Sequence, residues 1–254
     1  MAKQVRSAQS PTRAYHHGNL REVLIEATLR LVEEGGPESV TVREAARRAG
    51  VSPGAPFRHF PNRTVLMTAV AEEATHRLHV AIFEAVADVS TEEPIDRLRT
   101  IGLAYLRWAA ENPTHFAVVS NRSLIDYDSS ADMKRENEEI QALMGQTLDE
   151  AQRQGLAPSV DPVTMKLTCR ALVYGLARMS IDGHLPQWGV ADSQGDGQAE
   201  RAMEAALDLF IAVMTHWGPK RPWFEKETPK LFAIARRADA LPELTEVWRR
   251  NWPT

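Results

Sequence analysis

The sequence predicts an all-α protein, and three observations carry that prediction. Apolar residues recur at three- and four-residue spacing in one stretch after another, as they do on helices with one buried face. Proline, glycine and Ser/Asp clusters punctuate nearly every junction between those stretches. No run of useful length alternates apolar and polar residues as a half-buried strand does.

The elements follow in order. Residues 1–18 read as a flexible basic arm, polar throughout and without the apolar centre of a secretory signal. His16 and His17 have no third ligand nearby, so they read as part of that arm and not as a metal site. From Leu20 to Glu34 the spacing of Leu20, Val23, Leu24, Ala27 and Leu31 predicts an amphipathic helix, with Asn19 as N-cap and Gly35-Gly36 as its end. Thr41-Val-Arg-Glu44 is a capping box that opens a short helix to about Ala49, and Gly50 supplies the turn after it. Ser52-Pro53 predicts the start of a second short helix, with proline at the first helical position. Asn62 opens a longer helix through Leu66, Met67, Val70 and Ala74.

Further helices are expected at Ile95–Glu111, Thr114–Ser120, Asp132–Gln154, Pro162–Ile181 and Ala199–His216, with two short ones at Pro229–Ala238 and Pro242–Arg250. The Gly-, Asp- and Gln-rich segment Gln187–Gln198 reads as a mobile loop between them. The expected organisation is the arm at 1–18, a helix-turn-helix domain at 19–75, a larger helical body at 76–218, and a helical extension at 219–254. Trp223, Phe224, Phe232, Trp248 and Trp252 make the extension too apolar for a disordered end, so it is expected to fold back on the body or on a partner subunit.

Composition narrows the function. At 254 residues, 43% hydrophobic and 25% charged, the chain has the usage of an ordinary globular protein with one large or two smaller domains. No apolar run approaches the ~20 residues of a membrane-spanning helix. The single cysteine, Cys169, forms no intramolecular disulfide and no cysteine metal cluster. No nucleophile–base pair, metal-ligand spacing or phosphate loop is present, so neither catalysis nor a cofactor or metal is expected, and a cytoplasmic location is. Charge is unevenly shared. Residues 1–63 carry ten Lys/Arg against six acids, net +4, whereas the remainder nets −8. A basic head on an acidic body points to a polyanionic partner for the head alone, although a basic N-terminal arm is often merely solvated. Where the partner is double-stranded DNA, the arm is expected to lie along its backbone.

The densest information lies in Thr41–Phe60, TVREAARRAGVSPGAPFRHF. Two short helices joined by a tight glycine turn make a helix-turn-helix. Ala45, Ala46 and Ala49 are small enough for close crossing, Gly50 accepts positive φ, and Val51 plugs the gap between the helices. The second helix then presents Ser52, Pro53, Gly54, Ala55 and Arg58 where a recognition helix meets base edges and phosphates. Phe57 and His59 flank that face, Arg63 opens the next helix at phosphate height, and Phe60 is expected in the core.

The run from Asn19 to Val70 resembles the N-terminal domain of the TetR family of regulators, in its amphipathic first helix, its Gly-rich break, TVREAARRAGVS, and then G-A-x-x-R-H-F followed by a basic residue and Leu66. The resemblance covers about a fifth of the chain. It implies that Thr41, Arg43 and Ser52–His59 face DNA and that Arg63 stands where the family usually has a phosphate-binding lysine. It further implies a helical C-terminal domain that dimerises and holds a small-molecule pocket, with repression relieved by ligand in most members. Three positions depart from the pattern. Ala55 and Phe57 replace a common Thr and Tyr, each losing a hydroxyl, and Pro56 removes a backbone donor, which favours a tighter 3₁₀ start.

In the body, Tyr105 and Trp108 share a helix face, and such aromatic and methionine stripes build either plain core or a ligand box. The resemblance implies a pocket lined by Tyr105, Trp108, Phe116, Met144, Cys169 and Tyr174, for an effector the sequence does not identify. It likewise implies that Cys169–Gly183 and Ala199–His216 form a homodimer interface, a four-helix bundle built from Ala171, Gly175, Ala177, Leu172, Leu176, Leu207, Phe210, Ile211 and Met214. The alternative for those helices is that they complete the monomer core. The alternative for the whole chain is a DNA-binding or architectural dimer that needs no ligand.

Overall fold

Leu24, Ile25, Ala27, Thr28, Leu31 and Val32 fall on one side of the first helix, α1 (Leu20–Gly35), and that side is buried. Thr28 belongs there because its hydroxyl donates to the Leu24 carbonyl at 2.7 Å, leaving no polar atom unpaired. The computed structural model describes residues 20–88, 93–190 and 197–216, which together form eight α-helices and four short 3₁₀ turns. The arm with His16 and His17, the Asn19 cap, the extension 219–254 with its two short helices, and residues 191–196 of the expected loop lie outside the described residues.

After α1 the chain turns through a 3₁₀ element at Pro37–Ser39 into α2 (Val42–Ala49). Thr41 caps α2 by accepting from the Glu44 N–H at 3.1 Å. The reciprocal half of the capping box is replaced, because the Glu44 carboxylate turns to Arg47. Gly50 sits at φ +68°, ψ 28°, the left-handed conformation the turn requires.

The second short helix departs from expectation. Instead of an α-helix opening at Ser52-Pro53, the chain forms a turn and then a single 3₁₀ element at Ala55–Arg58. The reason is in the covalent chemistry. Pro56 has no N–H to return to the Ser52 carbonyl, so that carbonyl accepts from Ala55 N–H at 3.0 Å, an i→i+3 bond. Asn62 then caps the next helix through Val65 N–H at 2.9 Å.

That helix, α3 (Arg63–Asp88), is longer than predicted and runs unbroken through residue 75. Its N-terminal half, with Leu66, Met67, Val70 and Ala71, joins α1, α2 and Phe60 in one core. From Ala74 through Leu78 and Ile82 it joins a second core with α4 (Pro94–Glu111), α5 (Pro113–Val119), α7 (Pro162–Ile181) and α8 (Gln198–His216). The change of core therefore falls inside one rigid helix, with no linker between the two.

Two features tie the head to the body. Val118, Leu124, Ile125 and Met133, from α5, the turn after it and α6 (Ala131–Arg153), lie in the first core. Glu72 on α3 accepts from Arg21 of α1 and from the Ser130 hydroxyl that caps α6, both at 2.9 Å. On α3 and α6, His76 pairs with Glu136 at 2.8 Å and His79 with Glu139 at 2.6 Å. Arg99 of α4 grips Asp208 and Glu204 of α8, and those partners raise its pKa. Gln187 and Trp188, expected in the mobile loop, sit in a 3₁₀ turn at Leu185–Trp188, and Gln198 already begins α8.

Candidate functional site

The edge formed by α2 and the 3₁₀ element exposes Thr41, Arg43, Ser52, Pro53, Gly54, Phe57, Arg58 and His59, whereas Pro56 and Phe60 turn inward and Ala55 is half-buried. What distinguishes this edge is the state of its cations. Seven arginines lie between residues 20 and 63, and five are engaged: Arg21 with Glu72, Arg30 with Glu26, Arg47 with Glu44, Arg48 with Glu34 and Arg63 with Glu38. The Arg48 and Arg47 guanidinium groups hold the Glu34 and Glu44 carboxyls below the usual carboxylate range. Arg43 and Arg58 are both exposed and have no carboxylate partner among the described residues. A polyanion meets these two without first breaking an ion pair.

Arg63 has a structural task that the sequence did not show. Its Nε donates to the Val40 carbonyl at 3.0 Å and its Nη2 to the Pro37 carbonyl at 2.9 Å, spanning the whole turn between α1 and α2. The planar fork of arginine makes this clamp, and a lysine ammonium cannot reproduce it. Arg63→Ala is therefore expected to destabilise the head by roughly 1–3 kcal/mol, the range for losing hydrogen bonds from a charged donor. Arg63→Lys is expected to recover only part of that, and urea unfolding of both variants checks the order. Thr41 likewise accepts the α2 cap bond on its oxygen, and its O–H remains to donate outward.

The six predicted pocket residues do not line one cavity. Met144 and Cys169 line a small apolar one of about 50 Å³, with Ile82, Leu98, Ile101 and Leu207 among its other walls. Trp108, Phe116 and Tyr174 line a second, polar one of about 260 Å³. Tyr105 borders both, and so does Arg170, which the sequence reading missed. The Arg170 guanidinium lies 4.5 Å from the Tyr105 ring centre and 5.8 Å from that of Tyr174. Its position four residues before Tyr174 on α7 was a legible signal, since such residues share a helix face. The larger cavity also takes in Arg122 and Tyr127, stacked at 3.6 Å, and Asn137. Burial raises the Tyr105 pKa, with Arg170 opposing, and pushes the Cys169 thiol up to about 11. Cys169 is thus a buried wall of that cavity, held as the thiol. Gly102 also lines the smaller cavity, and a Cβ there would lie 2.8 Å from Leu207 Cδ2, so the glycine lets α8 seat on α4.

The expected interface residues need correction. Ala177, Leu207, Ile211 and Met214 are buried within the single chain, and Leu172, Leu176 and Phe210 pack partly against the same cores. The reason is register: these positions face α4 and the cavities. The opposite side of the pair is exposed and apolar, with Val163, Leu167 and Ala171 on α7 and Ala205, Leu209, Ala212 and Val213 on α8. Leu167 and Leu209 are 66% and 65% exposed, far beyond what a lone surface leucine requires.

A family model described as bacterial regulatory proteins, tetR family, matches residues 24–70. A second, described as tetracyclin repressor-like, C-terminal domain, matches residues 98–210. The chain is 28% identical over 163 residues to the nucleoid occlusion factor SlmA of Serratia proteamaculans, covering 62% of this chain and 81% of that protein. It is 34% identical over 90 residues to an uncharacterized HTH-type transcriptional regulator of Mycobacterium tuberculosis, 35% of this chain and only 44% of that protein's length. A solved structure from Rhodococcus sp. RHA1, a protein with unknown function, superposes with a TM-score of 0.64 at 26% identity, covering 80% of this chain and all of that one.

Proposed function

The chain belongs to the TetR family of bacterial transcriptional regulators, and on that premise we propose that it is a dimeric repressor released from a pseudo-palindromic operator by a small-molecule effector. Residues 19–75 form the reading head and 76–218 the regulatory and dimerisation body. The observation that carries the reading is the pair Arg43 and Arg58, exposed without a carboxylate partner while the five arginines around them are neutralised by neighbours. Thr41, Arg43, Ser52, Pro53, Gly54, Ala55, Phe57, Arg58 and His59 meet the DNA, with Arg58 at a base edge or phosphate, and Arg63 holds the turn behind them. Arg58→Ala is expected to weaken operator binding about ten- to hundredfold, the cost of losing one good base contact. Binding-site selection with the purified protein tests the whole reading. Recovery of a palindrome with half-sites one or more helical turns apart supports it, and an unstructured set of sequences counts against it.

Release follows from the way the head is mounted. α3 carries the head's core at one end and the body's at the other. The segment from Ser120 to Tyr127 touches both sides: Arg122 and Tyr127 border the larger cavity, Leu124 and Ile125 pack in the head's core, and Asp126 N–H donates to Thr68 Oγ1 on α3 at 2.9 Å. A ligand that prefers one placement of this segment shifts the spacing of the two heads by its differential affinity for the two states, and no more. The second reading is a DNA-binding or architectural dimer that answers to no small molecule, and the similarity to a protein named a nucleoid occlusion factor is what raises it. Operator binding that no cavity ligand alters decides for that one.

A further inference from the structure

We propose that the larger body cavity is built for an organic carboxylate with a planar, aromatic body. The inference rests on the effector reading above and gives it a ligand class. Two arginines, Arg122 and Arg170, border the cavity, no aspartate or glutamate lines it, and neither arginine has a carboxylate partner among the described residues. The Arg122 guanidinium lies 3.6 Å from the Tyr127 ring centre, and that of Arg170 lies 4.5 Å from the ring centre of Tyr105, whose side chain it also engages. A guanidinium has five N–H donors, so these tyrosine contacts leave donors for a carboxylate, whose two oxygens match the fork.

Trp108, only 3% exposed, adds an aromatic wall to the same cavity. Phe116 and Tyr174, whose ring centres lie 5.7 Å apart, supply flat walls for a planar ligand. The volume, about 260 Å³, lies just under the range for drug-sized ligands and suits a small metabolite.

Titration calorimetry and thermal shift on the full chain test this with benzoate, its neutral counterpart benzamide, and inorganic phosphate. Benzoate is expected to bind and raise Tm while benzamide and phosphate do so at least tenfold more weakly. Arg122→Gln and Arg170→Gln, both at exposed positions and so expected to fold, should each weaken benzoate about ten- to hundredfold. Benzamide binding as well as benzoate, phosphate binding better, benzoate affinity untouched by either variant, or no benzoate binding at all overturns the inference. Operator release separates it from the reading it rests on. A neutral probe that binds and releases DNA leaves the effector role and removes the carboxylate. Arginine-dependent benzoate binding without release leaves the carboxylate site and removes the effector role.

Discussion

Replacing Leu167 and Leu209 together by aspartate is expected to give a folded monomer that has lost most of its affinity for the operator. Both side chains are about two-thirds exposed in the single chain, so the variant forfeits little of its own core. Aspartate inside an exposed helix costs a few tenths of a kcal/mol in propensity, well within the stability of an ordinary domain. The interface pays far more. Fully burying a leucine is worth roughly 1.5–3 kcal/mol; with each about two-thirds exposed and twofold symmetry counting each position twice, the four contribute about 4–8 kcal/mol. That is comparable to the whole free energy of a micromolar complex, about 8 kcal/mol. Four carboxylates brought together across the axis add repulsion. Sedimentation should show the monomer, and circular dichroism should show unchanged helix content. Operator affinity should fall by about 10²–10⁴, because two heads no longer share one tether. A variant that stays dimeric places the interface elsewhere. The small residues Ala171, Gly175, Ala205 and Ala212 lie on the same helices, and a Cβ at Gly175 would meet nothing within 4 Å. That open space suits close approach of a second copy.

This face of α7 and α8 shows where sequence reading stops. α7 was predicted at Pro162–Ile181 and found with those bounds, since a proline at the first position and an Asp161 cap mark its start unmistakably. Which side of it faces a partner was not legible. α7 and α8 are apolar on more than one side, and hydrophobic spacing alone does not say whether Leu207 or Leu209 meets the monomer core. The choice is made by Gly102, which lets Leu207 enter against α4, and by Arg99, which pins Asp208 beside it. Both are contacts across about a hundred residues of sequence, beyond the reach of any local pattern.

The pocket tells the same story. Aromatic residues were found by their spacing, but Arg122 and Arg170 declare themselves only when a turn after α5 and the middle of α7 come to one cavity. Arg63 shows the opposite limit: its position matches a pattern, but the two carbonyls it holds belong to a turn more than twenty residues earlier, out of reach of that pattern. Local chemistry was legible where covalent constraint dominates: Gly50, the Thr41 cap and Pro56 each do what their bonds dictate.

Phe60 and Phe57, three residues apart, are expected to fail in opposite ways. Phe60 is 2% exposed and packs in the head's core with Leu24, Val40, Leu66 and Val70. Phe60→Ala removes a buried ring and leaves a cavity, a cost of about 3–5 kcal/mol. The head's core is shared with α5 and α6, through Val118 and Met133, so the loss should appear in the unfolding of the whole chain and not as local fraying. Phe57 is 42% exposed on the edge that carries Arg43 and Arg58, and its truncation should move stability by less than about 1 kcal/mol. DNA binding should divide the two variants again. Phe57→Ala, still folded, should bind the operator more weakly at every temperature and keep its salt dependence, since no charge is lost. Phe60→Ala should bind nearly normally in the cold and lose binding as it unfolds, so that its affinity tracks the fraction folded. If Phe57→Ala instead lowers Tm as far as Phe60→Ala does, the ring is part of the core and the 3₁₀ element presents its other side to DNA. The carbonyl of Pro56 accepts from both His59 and Phe60 N–H, at 2.9 and 2.8 Å, which fixes the rotation of that element and makes the first outcome the expected one.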